Sequence, residues 1–317
     1  MLRISIEKKT LHFKQPAGTS RGVYTERDIW LLTMYDTCSP ENVGVGECAP
    51  LPDLSCDASE NYEKRLREIC NVVEQRGRID GSLLSPYPSM LFGLETAYLN
   101  MKNGRYLFDT PFSHGRCGIP INGLVWMGTA EEMNFRMEEK IKAGFSCVKL
   151  KIGAIDFESE LALVKSIRKR FSKDVIELRV DANGGFSPAE AMERLEVLAR
   201  YDIHSIEQPI RQKQWSEMAR LCSTTPLPIA LDEELIGVNM KAMKEELLSV
   251  IKPQYIVLKP TLHGGMRGTE EWVVLARQHG IGSWITSALE GSVGLNAVAQ
   301  LTSHVYGDDI EFAQGLG

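Results

Sequence analysis

The chain has 317 residues, of which 43% are hydrophobic and 25% are charged, with 27 glycines and 14 prolines. These proportions are ordinary for a globular protein and exclude a disordered, collagen-like or low-complexity chain. The 36 basic and 42 acidic side chains give a formal net charge of −6, so the composition does not favour a nucleic-acid partner. We therefore expect two ordinary domains, or one large barrel with an attached unit.

The sequence also lacks the usual marks of export or membrane insertion. No stretch reaches the about 18 apolar residues that a membrane-spanning helix needs, and the first residues do not contain the apolar core of a signal peptide. The seven cysteines include no C-x-x-C pair, which argues against a zinc knuckle or a disulfide framework. We expect a cytoplasmic protein that binds neither nucleic acid nor membrane, and the sequence gives no indication of its oligomeric state.

Residues 1–105 predict an α+β domain. Alternating and apolar runs favour strands, and apolar residues three and four positions apart favour helices. The predicted strands are 2–7, 29–35 and 44–48, and the predicted helices are 59–76 and 90–101. Strands followed by helices within one segment indicate an α+β unit.

In residues 106–317 short apolar runs alternate with helical stretches, which predicts a parallel sheet. The predicted strands are 119–124, 146–151, 176–180, 203–206, 229–231, 255–258, 282–285 and 309–312, and the predicted helices are 129–143, 156–171, 187–201, 214–223, 240–249, 266–279 and 291–304. Eight strands in under about 200 residues favour a closed barrel, and the missing G-x-G-x-x-G motif counts against a dinucleotide fold. The predicted fold class is α/β: a (β/α)7β TIM-like barrel with an N-terminal α+β domain.

Three acidic residues, Asp181, Glu207 and Asp232, follow three successive predicted strands. In a parallel barrel these strand ends form the active site. One acidic residue after a strand usually caps the next helix, but three at matching heights converge and need a positive charge. Oxygen ligands without histidine favour a hard divalent cation such as Mg²⁺ over zinc. The three carboxylates are therefore candidate metal ligands.

Three lysines flank these carboxylates. Lys149 and Lys151 are two residues apart, so they share one face of a strand and point into the barrel, while Lys259 follows the sixth strand and enters from the opposite side. They could instead be surface lysines or simple counter-ions. Burial lowers the pKa of a lysine and nearby carboxylates raise it, so a lysine between these effects is a workable general base.

Together these motifs resemble the enolase superfamily, and within it the muconate-lactonizing subgroup. The patterns K-x-K, D-x-N, E-Q-P, D-E and K-P stand at the ends of strands two to six. Residues 46–52 resemble the "50s" loop of that family's capping domain, and residues 18–24, which include Arg21, lie where its mobile "20s" loop is found. The resemblance covers nearly the whole chain and implies a capping domain whose loops near Arg21 and Leu51 close the barrel mouth.

Within the subgroup, residues 46–52, 258–265 and 286–294 are most similar to the o-succinylbenzoate synthases. The resemblance implies Mg²⁺-dependent syn-dehydration of 2-succinyl-6-hydroxy-2,4-cyclohexadiene-1-carboxylate to o-succinylbenzoate, a step of menaquinone biosynthesis. Dipeptide epimerases of the subgroup commonly carry a D-x-D motif near strand eight, and residues 306–311 show no clear D-x-D here.

The resemblance also implies roles for individual residues. Asp181, Glu207 and Asp232 would bind Mg²⁺, for which Mn²⁺ could substitute. Lys151 would remove a proton from the small-molecule carboxylate substrate and return it to the departing hydroxyl, while Lys259 would stabilise negative charge from the other face. The substrate-binding candidates are Lys149, Asn122, Asn183, Ser287 and Glu290. The N-terminus of the helix after Gly291 would attract an anionic substrate group, and His263 is interpreted as a loop residue.

Other functions remain open at this point. An N-succinylamino acid racemase or dipeptide epimerase of the same scaffold would use the same two lysines. A Schiff-base aldolase would need one lysine but not three carboxylates. A barrel that had become a structural or interaction module would not need all five catalytic positions filled.

Overall fold

The computed structural model describes residues 1–19, 22–126, 128–153, 156–307 and 310–317. An N-terminal unit with an antiparallel sheet precedes a curled parallel sheet surrounded by helices, which confirms the predicted fold class. The division into domains at residue 105 stays a prediction. Within the described residues, no helix combines the length and apolar character needed to cross a membrane.

Among its described residues, the N-terminal capping domain has three antiparallel strands in the order β1-β2-β3 and three helices. The strands are β1 (Leu2–Thr19), β2 (Gly22–Asp36) and β3 (Ser39–Cys48), and the helices are α1 (Tyr62–Arg76), α2 (Gly81–Leu84) and α3 (Pro88–Asn103). β1 and β2 are much longer than predicted. Their outer parts form an exposed ribbon beyond the core, where no buried face imposes an apolar alternation.

In the part of the barrel that the structure describes, seven parallel strands follow the order β10-β9-β8-β7-β6-β5-β4. They are β4 (Gly123–Val125), β5 (Cys147–Lys151), β6 (Glu177–Asp181), β7 (Ser205–Glu207), β8 (Ile229–Leu231), β9 (Tyr255–Leu258) and β10 (Gly282–Ile285). The helices are α4 (Ala130–Lys142), α5 (Phe157–Arg170), α6 (Pro188–Ala199), α7 (Trp215–Thr224), α8 (Lys241–Ile251), α9 (Gly265–Gln278) and α10 (Ser292–Tyr306). All seven lie within a few residues of their predicted positions because the apolar spacing that predicts them is local. Two of them also begin at a local cap, α4 at the reciprocal hydrogen bonds between Thr129 and Glu132 and α5 at Asp156.

The barrel closes later in the chain than predicted. Residues 310–312 are not a strand, and the contacts that link the two edges of the sheet are made by Gln314, which bridges to Ile121, and Gly315, which bridges to Thr286. A Cβ atom at Gly315 would lie 2.2 Å from Oγ1 of Thr286, so this close approach requires glycine. The apolar residues at 310–312 suggested a strand, but the ring of Phe312 packs against Trp284 instead.

Two buried carboxylates of the capping domain bind the N-termini of barrel helices. Glu47 at the end of β3 accepts hydrogen bonds from the backbone N–H groups of Gly291 and Gly294 at the start of α10, at 2.6 and 2.9 Å. Glu95 of α3 accepts one from the N–H of Met266 in the first turn of α9, at 2.6 Å. The first N–H groups of a helix have no partner within the helix and are satisfied here by carboxyl oxygens, so these two contacts dock the capping domain on the barrel.

Candidate active site

The strand register brings the predicted acidic and basic residues to one end of the barrel. Lys151 is the register partner of Asp181, and Asp181 is the partner of Glu207, on the three adjacent strands β5, β6 and β7. Asp232 directly follows β8, and Lys259 directly follows β9. Because β6, β7 and β8 separate β5 from β9, Lys151 and Lys259 reach this end from opposite sides, as predicted from the sequence.

Each of the three carboxylates is paired with a lysine. The ammonium of Lys149 lies 3.1 Å from Glu207 and 3.3 Å from Asp181, and that of Lys151 lies 3.1 Å from Asp181. Lys259 pairs with Asp232. All six residues are buried or nearly so, and buried charges need such partners.

The three lysines face four carboxylates in this cluster, because Glu233 lies beside Asp181, Glu207 and Asp232. Burial alone would raise the pKa of Asp181, but Lys151 and the other lysines hold it below its ordinary value. Burial, together with Asp181, raises the pKa of Glu207 to about 8. Burial also raises the pKa of Asp232, whose neighbour Glu233 adds a further negative charge. An additional cation would relieve this repulsion.

A cavity of about 110 Å³ lies at this end of the barrel and is closed by the capping domain. The predicted site residues that line it are Asn122, Lys149, Lys151, Asp181, Asn183, Lys259 and Ser287. Glu207 and Asp232 do not line it themselves but are bound by Lys149 and Lys259, which do. A larger cavity of about 390 Å³ lies beside Glu95, but it contains no lysine–carboxylate cluster, so the smaller cavity is the candidate active site.

Two further polar residues, Asn183 and Gln208, position this cluster. Asn183 accepts a hydrogen bond from the ammonium of Lys151 at 2.9 Å and donates one to Glu233 at 3.0 Å. The side chain of Gln208 is fully buried and accepts hydrogen bonds from the backbone N–H groups of Asp232 and Glu234, so it orients the loop that carries Asp232.

His263 lies in the turn after β9, as predicted, and is fully buried there. Its Nδ1 accepts a hydrogen bond from the backbone N–H of Lys259 at 2.9 Å, and burial lowers its pKa well below the ordinary value. The imidazole therefore closes the turn after β9 from which Lys259 extends.

The structure places Glu290 differently from the other substrate-binding candidates. Its carboxylate accepts hydrogen bonds from the hydroxyl of Thr261 at 2.6 Å and from the N–H of Ala288 at 2.7 Å, and it does not line the cavity. The N-terminus of α10 does bind an anion, but that anion is the carboxylate of Glu47. A substrate role for Glu290 stays a prediction.

Several residues of the cavity wall were not predicted from the sequence. Trp126 lines the cavity, and the Lys151 ammonium lies 6.0 Å from its ring centroid, although we would expect a tryptophan in a barrel to serve packing. Glu233 also lines the cavity, and its position directly after the candidate ligand Asp232 was the sequence feature that pointed to it. The capping domain contributes Leu54 as well, together with Tyr24 and Leu51, which belong to the two segments predicted to close the barrel mouth. Arg21, Asp308 and Asp309 lie outside the described residues.

The donor set fits a hard divalent cation. Oδ1 of Asp232 and Oε2 of Glu233 are buried without a hydrogen-bond partner, and the candidate ligands are all oxygens, as Mg²⁺ prefers. As they stand the carboxylates face lysines, and among the residues that the structure covers no three His, Cys, Asp or Glu side chains converge closely enough to hold an ion. The chemistry of the site therefore fits a cation, while its side chains are arranged as ion pairs.

Comparison with known proteins agrees with this geometry. The family described as enolase C-terminal domain-like matches residues 132–311. The o-succinylbenzoate synthase of Desulfotalea psychrophila is 43% identical to the chain over 335 aligned positions, which cover 95% of this chain and 90% of that protein.

Two solved structures are similar over the whole fold. The MenC protein of Desulfotalea psychrophila LSv54 superposes with a TM-score of 0.83 at 39% identity, covering all of this chain and 93% of that one. The o-succinylbenzoate synthase of Thermosynechococcus elongatus BP-1, solved with Mg in its active site, superposes with a TM-score of 0.77 at 25% identity, covering 99% and 92%. The chain belongs to the enolase C-terminal domain-like family and is a relative of the o-succinylbenzoate synthases.

Proposed function

We propose that this protein is a Mg²⁺-dependent o-succinylbenzoate synthase of menaquinone biosynthesis. The observation that carries the proposal is that Lys151 and Lys259 face one carboxylate-bearing cavity from opposite sides of the barrel. The 43% identity to a synthase over nearly the whole chain favours dehydration over the racemase and epimerase activities that the same lysines could support. The substrate is 2-succinyl-6-hydroxy-2,4-cyclohexadiene-1-carboxylate, a small carboxylate. The cytoplasmic location expected from the sequence stays a prediction.

Lys151 is the proposed general base and acid. Its amine takes the proton from the ring carbon that bears the carboxylate, and the electron pair of that C–H bond moves into the ring. As the C–O bond to the hydroxyl breaks, the same ammonium gives its proton to the departing oxygen, so one water leaves and Lys151 returns to its starting form. Asn183 accepts a hydrogen bond from Lys151 and orients it for both transfers.

The other two lysines provide positive charge. Burial by itself would lower the pKa of Lys259, but Asp232, Glu233 and Glu207 raise it, so Lys259 stays an ammonium suited to stabilising negative charge on the ring. Glu207 and Asp181 likewise outweigh burial and raise the pKa of Lys149. Lys149 lines the cavity and is the proposed partner of the substrate carboxylate.

Asp181, Glu207 and Asp232 would hold the divalent cation, with Glu233 beside them. When bound there, the cation supplies fixed positive charge next to the substrate carboxylate, where negative charge develops as the proton leaves. That Mn²⁺ can substitute for Mg²⁺ is part of the same proposal and follows from the oxygen-only donor set.

The direct test is an assay of the purified protein on the cyclohexadiene carboxylate, with Mg²⁺, with Mn²⁺ and after treatment with EDTA. We expect dehydration that is lost with EDTA and recovered with either metal. N-succinylamino acids and dipeptides are assayed in parallel by following α-proton exchange in D₂O. Faster exchange of N-succinylamino acids than dehydration would assign the racemase activity instead, and metal-independent dehydration would contradict the proposed cation.

A further inference from the structure

Arg27 of β2 joins two walls of the active-site cavity. Its side chain is 3% exposed, and its guanidinium donates one hydrogen bond to the carbonyl of Ala49 and another to the carbonyl of Ala288. Ala49 begins the loop that carries Leu51, and Ala288 itself lines the cavity next to Leu289. A single buried side chain thus connects the capping-domain wall with the wall that follows β10.

Glu47 holds the far end of the same barrel loop. Besides accepting hydrogen bonds from Gly291 and Gly294, its carboxylate would contact a Cβ atom at either position, at 2.8 and 3.1 Å. The two glycines therefore leave room for the carboxylate. Arg27 and Glu47 together hold residues 288–291 from the capping-domain side.

The loop between these two contacts is strained. Leu289 has φ of 62°, in the left-handed region that a branched side chain rarely adopts. Glu290 secures the loop from within the barrel through Thr261 and Ala288. A conformation of this kind persists only when its surroundings impose it, and strained residues of this kind cluster at functional sites.

We infer that Arg27 and Glu47 are positioning residues that hold Ala288 and Leu289 in the shape that receives the substrate, an inference that rests on the proposed function. Neither residue lines the cavity, so neither takes part in the proton transfers. Both act from the capping domain on a loop of the barrel. Their loss should weaken substrate binding while leaving the lysine chemistry largely intact.

The first test compares Arg27→Lys and Arg27→Met with wild type. Lysine keeps the charge but lacks the planar fork that reaches both carbonyls. We expect both variants to raise KM and the Kd of the product o-succinylbenzoate, measured by calorimetry, by about tenfold to a hundredfold, with kcat changed less than about threefold. Recovery of wild-type KM by lysine would overturn the bridging role, as would an unchanged product Kd in both variants.

The second test uses the matched pair Glu47→Ala and Glu95→Ala, each of which removes a capping-domain carboxylate from a barrel-helix N-terminus. Both should lower Tm, but only Glu47→Ala should raise KM and the product Kd, because Glu47 binds the helix next to Ala288 and Leu289. The turn from Lys259 to the helix that Glu95 binds is held separately, by the hydrogen bond from the backbone N–H of Lys259 to His263. Equal effects of both variants on product binding would show a general role in docking and contradict the inference. If Glu47→Ala does not fold, Glu47→Gln replaces it in this comparison.

The two proposals fail in different ways. A wild-type protein without synthase activity refutes the proposed function, whereas an active wild type whose Arg27 and Glu47 variants keep the wild-type KM and product Kd refutes only the positioning role.

Discussion

Lys149 donates to both carboxylate oxygens of Glu207, at 3.1 and 3.2 Å, from a strand that is not its neighbour in the sheet. The ammonium crosses over β6 to reach β7 and contacts Asp181 on the way. Inside a barrel, side chains from alternate strands share one layer, which brings Lys149 and Glu207 together. The site is thus one connected charge network, and its members should respond together to substitution.

Replacement of the proposed metal ligands should abolish activity while leaving the fold. We expect Asp181→Asn, Glu207→Gln and Asp232→Asn each to weaken Mg²⁺ binding by about a hundredfold or more, since each removes a carboxylate from a hard-cation site. Calorimetric titration with Mg²⁺ measures this directly, and circular dichroism checks the fold. The control Glu217→Gln, at an exposed residue paired with Arg220, should bind Mg²⁺ normally. Wild-type activity of all three variants in chelator-treated buffer would refute the metal site.

The two catalytic lysines should differ in what can replace them. Lys151→Ala and Lys259→Ala should both lose dehydration, the first through loss of the base and the second through loss of charge. Lys259→Arg should recover part of the dehydration, because arginine keeps the charge, but no racemisation, because it does not act as a base at ordinary pH. The Kd of the product is measured for Lys259→Arg as well, because arginine is bulkier than lysine and a blocked cavity would also lower activity. Dehydration by Lys151→Ala at the wild-type rate would show that the base is a different residue.

Glu95 should make the stability of the protein fall as the pH rises. Burial raises its pKa to about 8, despite the amides of Met266 and Arg267, from an ordinary value of 4.5. Because the folded state holds this proton more tightly, the associated stability is complete below pH 4.5 and is lost as the pH rises through 8.

Glu95→Gln, which resembles the protonated acid, should lack this dependence. The free energy of unfolding of wild type relative to the variant should therefore drop by roughly 2–3 kcal/mol between pH 6 and pH 9, at about 1.4 kcal/mol per pH unit. Urea titrations at both pH values measure it. Arg267 and Glu270, which face the same cavity, and Glu207, whose pKa is also about 8, are present in both proteins and cancel in the difference. If the free energies of unfolding of wild type and Glu95→Gln changed with pH in parallel, Glu95 would be ionised in the folded protein.

Gly315→Ala should open the barrel closure. The added methyl group would overlap the side chain of Thr286, and overpacking of this kind costs about 1–3 kcal/mol or more. We expect a lower Tm and weaker product binding, because Gly315 also lines the cavity. Gly118→Ala is the matched control, since nothing lies within 4 Å of a Cβ atom there. Equal Tm values for the two variants would contradict the closure described at Gly315.

The alternating part of the fold and the charged cluster could be predicted because both depend on local sequence. The barrel helices have apolar residues at helical spacing, two of them begin at a side-chain cap, Thr129 or Asp156, and Asp181, Glu207 and Asp232 each follow a recognisable strand. Because neighbouring parallel strands run in the same direction, the residues that follow them lie together at one end of the barrel.

The rest depended on contacts between distant residues. The bridge at Gly315 that closes the barrel is a single-residue contact with Thr286. A contact of this length produces no alternation of apolar and polar residues that would predict a strand. The exposed ribbon of β1 and β2 has no buried face, so its sequence lacks the alternation of apolar and polar residues that predicts a strand. Glu47 appeared only as part of a family-like motif, and its partner at the N-terminus of α10 is 244 positions away, so no local pattern could show that the helix end was already bound.

The pairing of lysines with carboxylates has a consequence for how the protein matures. A cluster of buried carboxylates without counter-charge would block folding until an ion arrived, as happens in domains that fold only around their metal. Here Lys149, Lys151 and Lys259 compensate most of that charge from within the chain. The polypeptide can therefore complete its fold first and acquire the ion afterwards, at the cost of an affinity reduced by competition with its own ammonium groups.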